Sequence, residues 1–276
     1  RAVHAAAREK LEALTPAVGA SASAPASVSA DASALRKVSD RDLNEVRKLP
    51  KPPQPVRAAL EARGLALEAI LVTHHHFDHV GGVEALKAET GCTVYGPDNP
   101  DLPFIDRRLR DGDAVTVLGV AFDVLTVPGH TLDHIAYFAA APGPVLFCGD
   151  TLFAGGCGRL FEGTAAMMHA SLQRLADLPA DTAVYCAHEY TQANLAFASA
   201  AEPGNAALAA RVAEVRERRG RDEPTVPSSI ALERETNPFL RPDADGILAG
   251  LSAAGQAPAA DSVGRFAQLR AWKDSF

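Results

Sequence analysis

The segment 73–82, which reads T-H-H-H-F-D-H-V-G-G, restricts what this chain can fold into more than any other stretch. It directly follows the apolar run A-I-L-V, which is typical of a buried strand. Side chains alternate along an extended segment, so His74 and His76 are expected on one side, while Asp78 and His79 follow from the next loop. Neutral imidazole and carboxylate suit zinc, iron or manganese. The segment therefore predicts a metal site at the end of a strand.

The alternative is a polar loop with chance histidines. Any one of these side chains alone would favour that interpretation, because a single histidine is usually a structural or surface residue. A cluster of the pattern H-x-H-x-D-H behind a buried strand is different, since desolvating so many ligand groups is costly without a cation. The cluster therefore favours metal binding over a chance arrangement.

The length, net charge and cysteine spacing of the chain limit the kinds of domain, binding partner and compartment that it can have. The chain has 276 residues, enough for one large domain or two modest ones. A net charge of −7 argues against binding of nucleic acid, and no apolar run approaches the roughly 18 residues of a membrane span. The 4 cysteines show no C-x-x-C spacing, so we expect free thiols in a reducing compartment and a cytoplasmic protein. We further expect a monomer.

The chain divides into three parts. Residues 1–52 are rich in Ala and Ser and end in a Pro-rich linker, so we expect an atypical, poorly ordered segment, with organelle targeting as the alternative. Residues 53–189 alternate strands with helices and predict an α/β sandwich, and residues 190–276 are helical. Strands are predicted at 67–73, 93–95, 114–118, 121–127, 135–139, 145–148 and 183–186, and helices at 56–63, 83–89, 165–175, 191–200, 206–219, 230–235 and 262–272.

Three further candidate ligands share one structural context, the end of an apolar strand. His130 follows F-D-V-L-T-V-P-G, Asp150 follows V-L-F-C-G and His188 follows A-V-Y-C-A. Strand ends along one edge of a sandwich converge in space, and ligand sites in α/β folds favour such edges. Glycine precedes His130 and Asp150, as expected where the backbone approaches a site closely.

These side chains suffice for two divalent ions, with zinc expected and iron or manganese as alternatives. A bound metal lowers the pKa of water, so the predicted chemistry is hydrolysis by a metal-bound hydroxide, with Asp78 and Asp150 as the catalytic carboxylates. The predicted ligands are His74, His76 and His130 for one ion, Asp78, His79 and His188 for the other, and Asp150 as the bridge between them.

The motifs T-H-H-H-F-D-H-V-G-G, P-G-H-T, G-C-G-R-L-F-E-G-T, A-H-E-Y-T and N-P-F-L-R resemble those of glyoxalase II. The resemblance covers about residues 54–276 and implies a metallo-β-lactamase-type αββα sandwich followed by a small helical C-terminal domain. It also implies the same binuclear ligand set. The implied reaction is hydrolysis of S-D-lactoylglutathione to D-lactate and glutathione, a step of methylglyoxal detoxification.

The resemblance further implies a glutathione-binding site formed by Arg159, Phe161, Tyr190, Arg270 and Lys273. Arginine and lysine suit the carboxylates of a tripeptide. Phe161 stands where the family usually has tyrosine, which removes one hydroxyl. Taken without the resemblance, Arg270 and Lys273 would be read as a solvated helix end.

The chain departs from the family pattern at two places. Family members usually open with a strand pair, and here an Ala/Ser-rich segment stands instead, which leaves open that the first strands are missing or replaced. Asp133 occupies a usual glycine position, which would be strained if that position required a positive φ. Two rival functions therefore stay open: a glutathione-persulfide dioxygenase of the same fold with a single iron, and a non-catalytic, truncated relative.

Overall fold

The computed structural model describes residues 53–276. The predicted atypical segment 1–52 lies outside the described residues. Among the described residues, no helix is both long and apolar enough to cross a membrane.

The first layer is a three-stranded parallel sheet, and three helices belong to the same part of the chain. Its strand order is β1-β2-β3, which leaves β1 at an edge within the described part of the chain. Val72, Val94 and Ile105 form its local core, and Val83, the first residue of the helix that precedes β2, packs with them. The elements are α1 (Gln54–Glu61), β1 (Ala69–Leu71), α2 (Phe77–Val80), α3 (Val83–Thr90), β2 (Thr93–Pro97) and β3 (Arg107–Leu109).

The second layer is a six-stranded, mixed sheet. Antiparallel neighbours β4, β5, β6 and β7 follow one another in sequence, whereas β10 pairs with β7 in parallel after a helical crossover. The elements are β4 (Ala114–Val117), β5 (Val120–Thr126), β6 (Ile135–Ala139), β7 (Val145–Gly149), a hairpin of β8 (Leu152–Phe153) and β9 (Gly156–Cys157), α4 (Ala165–Ala176) and β10 (Ala183–Cys186).

Successive side chains along the strands of the second sheet point to opposite faces, so each face packs against a different part of the protein. Tyr137 and Val124 belong to a core that Leu71 and Tyr95 of the first sheet contact, so this core lies between the sheets. Residues on the opposite face pack with α4 and the C-terminal helices. The order of layers is therefore helix, sheet, sheet, helix, which confirms the predicted metallo-β-lactamase-type αββα sandwich.

The C-terminal part is mostly helical, with one exception. Ser228 and Ser229 form β11, which extends the second sheet by pairing with β10. Ser229 also caps the following helix, because its side chain accepts a hydrogen bond from Leu232 N–H. The elements are α5 (Thr191–Ala201), α6 (Ala206–Gly220), β11 (Ser228–Ser229), α7 (Ile230–Thr236), a 3₁₀ turn (Pro238–Leu240), α8 (Asp245–Ala253) and α9 (Ser262–Ser275).

Candidate active site

The predicted ligands meet at one edge of the sandwich because most of them lie just beyond the end of a strand. His74 follows β1, His130 follows β5, Asp150 follows directly on β7, and His188 follows β10. His74 and His130 are buried, as is Asp150. The ring nitrogen Nε2 of His130 lies 3.4 Å from Asp150 Oδ2, and that of His188 lies 3.5 Å from the same oxygen. Asp150 is therefore central to the cluster.

Asp78 and His79 lie on the short helix α2, whereas the sequence analysis expected a loop. Successive residues of a helix are rotated by about 100°, so the two neighbouring side chains reach different partners. His79 Nε2 lies 3.4 Å from Asp150 Oδ1, and Asp78 Oδ2 lies 3.4 Å from His188 Nε2. The helical turn thus brings both side chains into the cluster.

Three overlapping groups have the geometry of metal-binding sites. Within each group, one potential ligand atom per residue lies within 4.8 Å of the others. The outer two groups have the same members as the two predicted ligand sets, and the middle group contains the predicted bridge. The groups are His74, His76 and His130; His74, His79 and Asp150; and Asp78, His79 and His188.

The polar atoms of this cluster fit a bound cation. His74 Nε2, His79 Nε2 and Asp150 Oδ1 are buried and make no hydrogen bond. His130 Nε2 and His76 Nδ1 face each other at 2.9 Å. Buried polar atoms without partners are costly, and a metal ion would satisfy them together. The cluster therefore suits a binuclear metal site.

Burial also keeps two of the imidazoles in the form that binds metals. It lowers the pKa of His74 well below its usual range and lowers the pKa of His76 to about 4, with the neighbouring histidines adding to both shifts. Both rings are therefore neutral near pH 7. Metal ligation requires neutral histidine, so no proton has to leave these rings when an ion binds.

Asp150 and His188 form the charged part of the cluster. Burial alone would raise the pKa of Asp150, but the adjacent imidazoles of His188 and His79 hold it well below its usual range. Burial alone would lower the pKa of His188, but its bonds to Asp150 and Asp78 raise it to about 9. The cluster thus keeps its central carboxylate ionised, as a cation-binding carboxylate must be.

Neighbouring groups fix the orientation of the ligands. The His130 ring lies with Nδ1 at 2.9 Å from the carbonyl oxygen of Arg159. The backbone N–H of Asp150 donates to His134 Nε2 at 3.1 Å, and the His134 ring stacks on that of His74. Such outer contacts orient metal ligands and select their tautomers. His134 therefore supports two of the predicted ligands, Asp150 and His74.

Two glycines allow this close approach, as predicted. Gly149, before Asp150, has a φ of 50°, and a Cβ there would lie 2.6 Å from Thr73 Oγ1. Gly129, before His130, has a φ of 151°, and a Cβ there would lie 2.7 Å from Met168 Cβ. Any larger residue would have to displace its neighbour at either position, so both are glycine for steric reasons.

Asp133 is not strained, contrary to the concern raised by its replacement of glycine. It is absent from the residues with positive φ. Its carboxylate accepts hydrogen bonds from Thr131 at 2.7 Å and Asn99 at 2.8 Å, and it contacts His75 Nδ1 at 2.9 Å. Asp133 and His75 are therefore in polar contact with each other beside the ligand cluster.

A cavity of about 510 Å³ opens above the ligand cluster. Its floor contains Asp150, and its walls include every residue that the sequence analysis assigned to substrate binding: Arg159, Phe161, Tyr190, Arg270 and Lys273. Phe161 and Tyr190 are half exposed, at 49% and 52%, and flank the mouth. The Phe161 ring contacts His76 and His130, while the Tyr190 ring stacks on His188 at 5.0 Å.

The basic wall of the cavity is held in place by the protein itself. Arg270 is only 5% exposed, which rules out a solvated helix end, and its Nη1 donates to the Cys157 carbonyl at 3.1 Å. Asp274 accepts from Arg270 Nη2 at 2.9 Å and lies 3.6 Å from Arg159 Nε. Lys273 donates to the Ala193 carbonyl at 3.0 Å. Arg270 Nε is buried and makes no hydrogen bond.

Sequence reasoning missed one wall of the cavity. Phe153 and Asn194 line it, and Phe153 packs against His188 and Tyr190. Phe153 lies on the hairpin β8–β9, whose strands of two residues are too short for any alternation to be detected. The glycines of F-A-G-G-C-G were the available signal for a tight turn here.

Comparisons with known proteins agree with this architecture. Residues 47–188 match the model of the metallo-beta-lactamase superfamily, and residues 189–276 match that of the hydroxyacylglutathione hydrolase C-terminus. Among solved structures, ETHE1 from Myxococcus xanthus superposes with a TM-score of 0.53 at 27% identity, covering 79% of this chain and 87% of that one. The BLEG-1 B3 metallo-beta-lactamase superposes with a TM-score of 0.51 at 24% identity, covering 69% and 85%. The latter likeness concerns the fold alone.

Three relatives with similar sequences carry the same name. A hydroxyacylglutathione hydrolase from Pseudomonas fluorescens is 57% identical over 213 residues, covering 77% of this chain and 82% of the relative. Hydroxyacylglutathione hydrolases from Pseudomonas aeruginosa and Cupriavidus taiwanensis are 56% and 53% identical, covering 81% and 80% of this chain and 87% of each relative. The chain therefore belongs to the hydroxyacylglutathione hydrolase, or glyoxalase II, family.

The central position of Asp150 yields a first prediction. Asp150→Asn should weaken metal binding by more than the 10–100-fold (roughly) that is typical of outer contacts, because it removes the charge of the carboxylate that lies beside His79, His130 and His188. Metal per chain, measured by atomic emission after dialysis, should fall below that of the parent protein. Asp123→Asn, an exposed change on β5, is the matched control. Retention of two ions per chain by Asp150→Asn would refute the bridging assignment.

Proposed function

We propose that this chain hydrolyses S-D-lactoylglutathione to D-lactate and glutathione, as a step of methylglyoxal detoxification. One observation carries the proposal: a single cavity combines a cluster suited to two cations with a basic wall suited to a peptide carboxylate. The names of the relatives support the same reaction. The enzyme is accordingly proposed to be a metal-dependent thioester hydrolase.

The proposed metal-binding residues are the seven predicted ones, with Asp150 shared between the two ions. Zinc is the proposed metal, and iron or manganese would suit the same mixture of histidine and carboxylate. When bound, such ions lower the pKa of a coordinated water and polarise a carbonyl oxygen. The carboxylates of Asp78 and Asp150 compensate the charge of the cations and orient His188, which contacts both.

The basic wall is proposed to bind glutathione. Arg270 is already held by the Cys157 carbonyl and by Asp274, so little of its conformational freedom would be lost on binding a carboxylate. Arginine can bind a carboxylate through two parallel hydrogen bonds. Phe161 and Tyr190 at the mouth offer apolar surface to the peptide. Phe161 cannot donate the hydrogen bond of the usual tyrosine, so its contribution would be contact area alone.

The rivals account for the site less well. A dioxygenase with one iron would need only one ligand group, whereas the second group, Asp78, His79 and His188, is complete here. A non-catalytic relative would gain nothing from burying unpartnered ligand atoms.

We also propose the division into a metal-binding domain, 53–189, and a substrate-binding domain, 190–276. The four unpaired cysteines support a cytoplasmic location, and we propose a monomer.

The proposed function predicts turnover of the glutathione thioester. Purified protein containing two metal ions per chain should hydrolyse S-D-lactoylglutathione, which is measured as a decrease in the absorbance of the thioester. The protein should lose this activity after chelation and dialysis. Restoring zinc, iron or manganese separately to the chelated protein would show which ion supports turnover. A protein that contains two metals and leaves the thioester intact would contradict the proposal.

The basic wall yields a prediction that separates binding from chemistry. Arg270→Ala and Lys273→Ala should mainly raise KM for S-D-lactoylglutathione and leave kcat nearly unchanged, because both contact a part of the substrate remote from the thioester. A small thioester without the tripeptide is the control substrate, and its kcat/KM should not change in either variant. Equal effects on both substrates would show that the wall does not bind glutathione.

Lys273 also makes the activity depend on pH. Burial and the nearby Arg270 lower the pKa of Lys273 to about 8. The charged form is the one that binds a carboxylate, so this attraction is present below pH 8 and is lost as the pH rises through that value. We expect kcat/KM, which reports the free enzyme, to fall above about pH 8. Lys273→Arg should remove that fall, because arginine stays protonated. An identical fall in both proteins would contradict this origin.

A further inference from the structure

The cavity wall that sequence reasoning missed connects the ligand cluster to the basic wall. Residues 150–159, here called the wall hairpin, begin at Asp150, contain β8 and β9, and end at Arg159. The carbonyl of Arg159 contacts the His130 ring at 2.9 Å, and the carbonyl of Cys157 accepts from Arg270 at 3.1 Å. Movement of the wall hairpin would therefore disturb both halves of the proposed site.

The turn of the wall hairpin is held from behind by helix α7. Glu233 Oε2 accepts the backbone N–H of Gly155 at 2.9 Å. Asn237, just after α7, donates from Nδ2 to the carbonyl of Gly156 at 2.9 Å and to that of Phe153 at 3.3 Å. Asn237 Nδ2 also lies 2.9 Å from Glu233 Oε2. Two side chains thus satisfy three backbone groups of the turn.

These anchoring side chains are wholly buried and have no contact with the cavity. Glu233 and Asn237 are both 0% exposed, and neither lines the cavity. The other oxygen of Glu233 accepts from Arg211 at 2.5 Å and from Ser228 at 2.5 Å. Replacing such a buried ion pair by apolar residues is often neutral for stability. Stability alone therefore does not explain why a carboxylate is used here.

We propose that Glu233 is a positioning residue for the metal and substrate sites. It acts through its acceptor for Gly155 N–H, which sets the wall hairpin and, through it, Asp150, Arg159 and Arg270. The C-terminal helices would then serve the metal cluster as well as the substrate. The part of this inference that concerns turnover rests on the proposed thioester hydrolysis, whereas the part that concerns metal affinity does not.

A pair of double variants isolates that acceptor. R211M/E233Q and R211M/E233M both remove the buried charges, but only the glutamine can still accept from Gly155 N–H. Its amide group can meanwhile donate to the Ser228 hydroxyl. E235Q, an exposed change on the same helix, is the matched control. Three quantities are measured on each protein: zinc affinity by competition with a chelator, kcat/KM for S-D-lactoylglutathione, and melting temperature.

We expect R211M/E233M to bind zinc about 10-fold more weakly than R211M/E233Q, as when an outer contact is lost. Its kcat/KM should be lower by about 100-fold, as for a small misplacement of catalytic groups. The proposal would be overturned if the two double variants had the same zinc affinity and the same kcat/KM. This holds whether the two variants match the parent protein or are both weaker than it. If the parent does not hydrolyse the thioester, zinc affinity alone decides the role of Glu233.

Discussion

The rest of the structure depends on the cost of gathering desolvated ligand groups at one point. His74, His130 and Asp150 are buried where the strand ends of both sheets meet, and His74 Nε2 and Asp150 Oδ1 have no hydrogen-bond partner. A bound cation would coordinate these atoms and offset the free energy that it costs to remove them from water. Without a cation, that cost lowers the stability of the folded protein. The neighbouring features, including Gly149 and the His134 ring, are arranged around this cluster and not around the apolar core.

The two parts of the chain are joined through the site as well as through the core. The sandwich supplies the ligand cluster, and helix α9 supplies Arg270 and Lys273. The C-terminal part also returns to the sheet through β11 and to the hairpin through Glu233. Buried hydrogen bonds therefore fix the relative positions of the groups proposed to bind the cations and the substrate. Such an arrangement suits a reaction in which the thioester must lie against the metal cluster.

Much of this could be predicted from the sequence because the signals are local. The strand that feeds His74 is apolar, and His130, Asp150 and His188 each end a similar run, so their convergence follows from the fold class. The helix carrying Asp78 was missed because four residues show no periodicity. The role of Glu233 was missed for a different reason: its contact with Gly155 spans 78 positions and depends on tertiary packing alone. The one local signal for this anchoring of the hairpin was Asn237 in the motif N-P-F-L-R, whose amide can bond to backbone groups.

The central claim is that one cluster of histidines and aspartates binds two cations. Anomalous X-ray scattering from crystals of the protein purified with its native metal tests this claim directly, because it locates each ion and identifies its element. We expect two peaks, one among His74, His76 and His130 and the other among Asp78, His79 and His188, with Asp150 beside both. A single peak, or none within the cluster, would contradict the binuclear site and the hydrolytic function that depends on it.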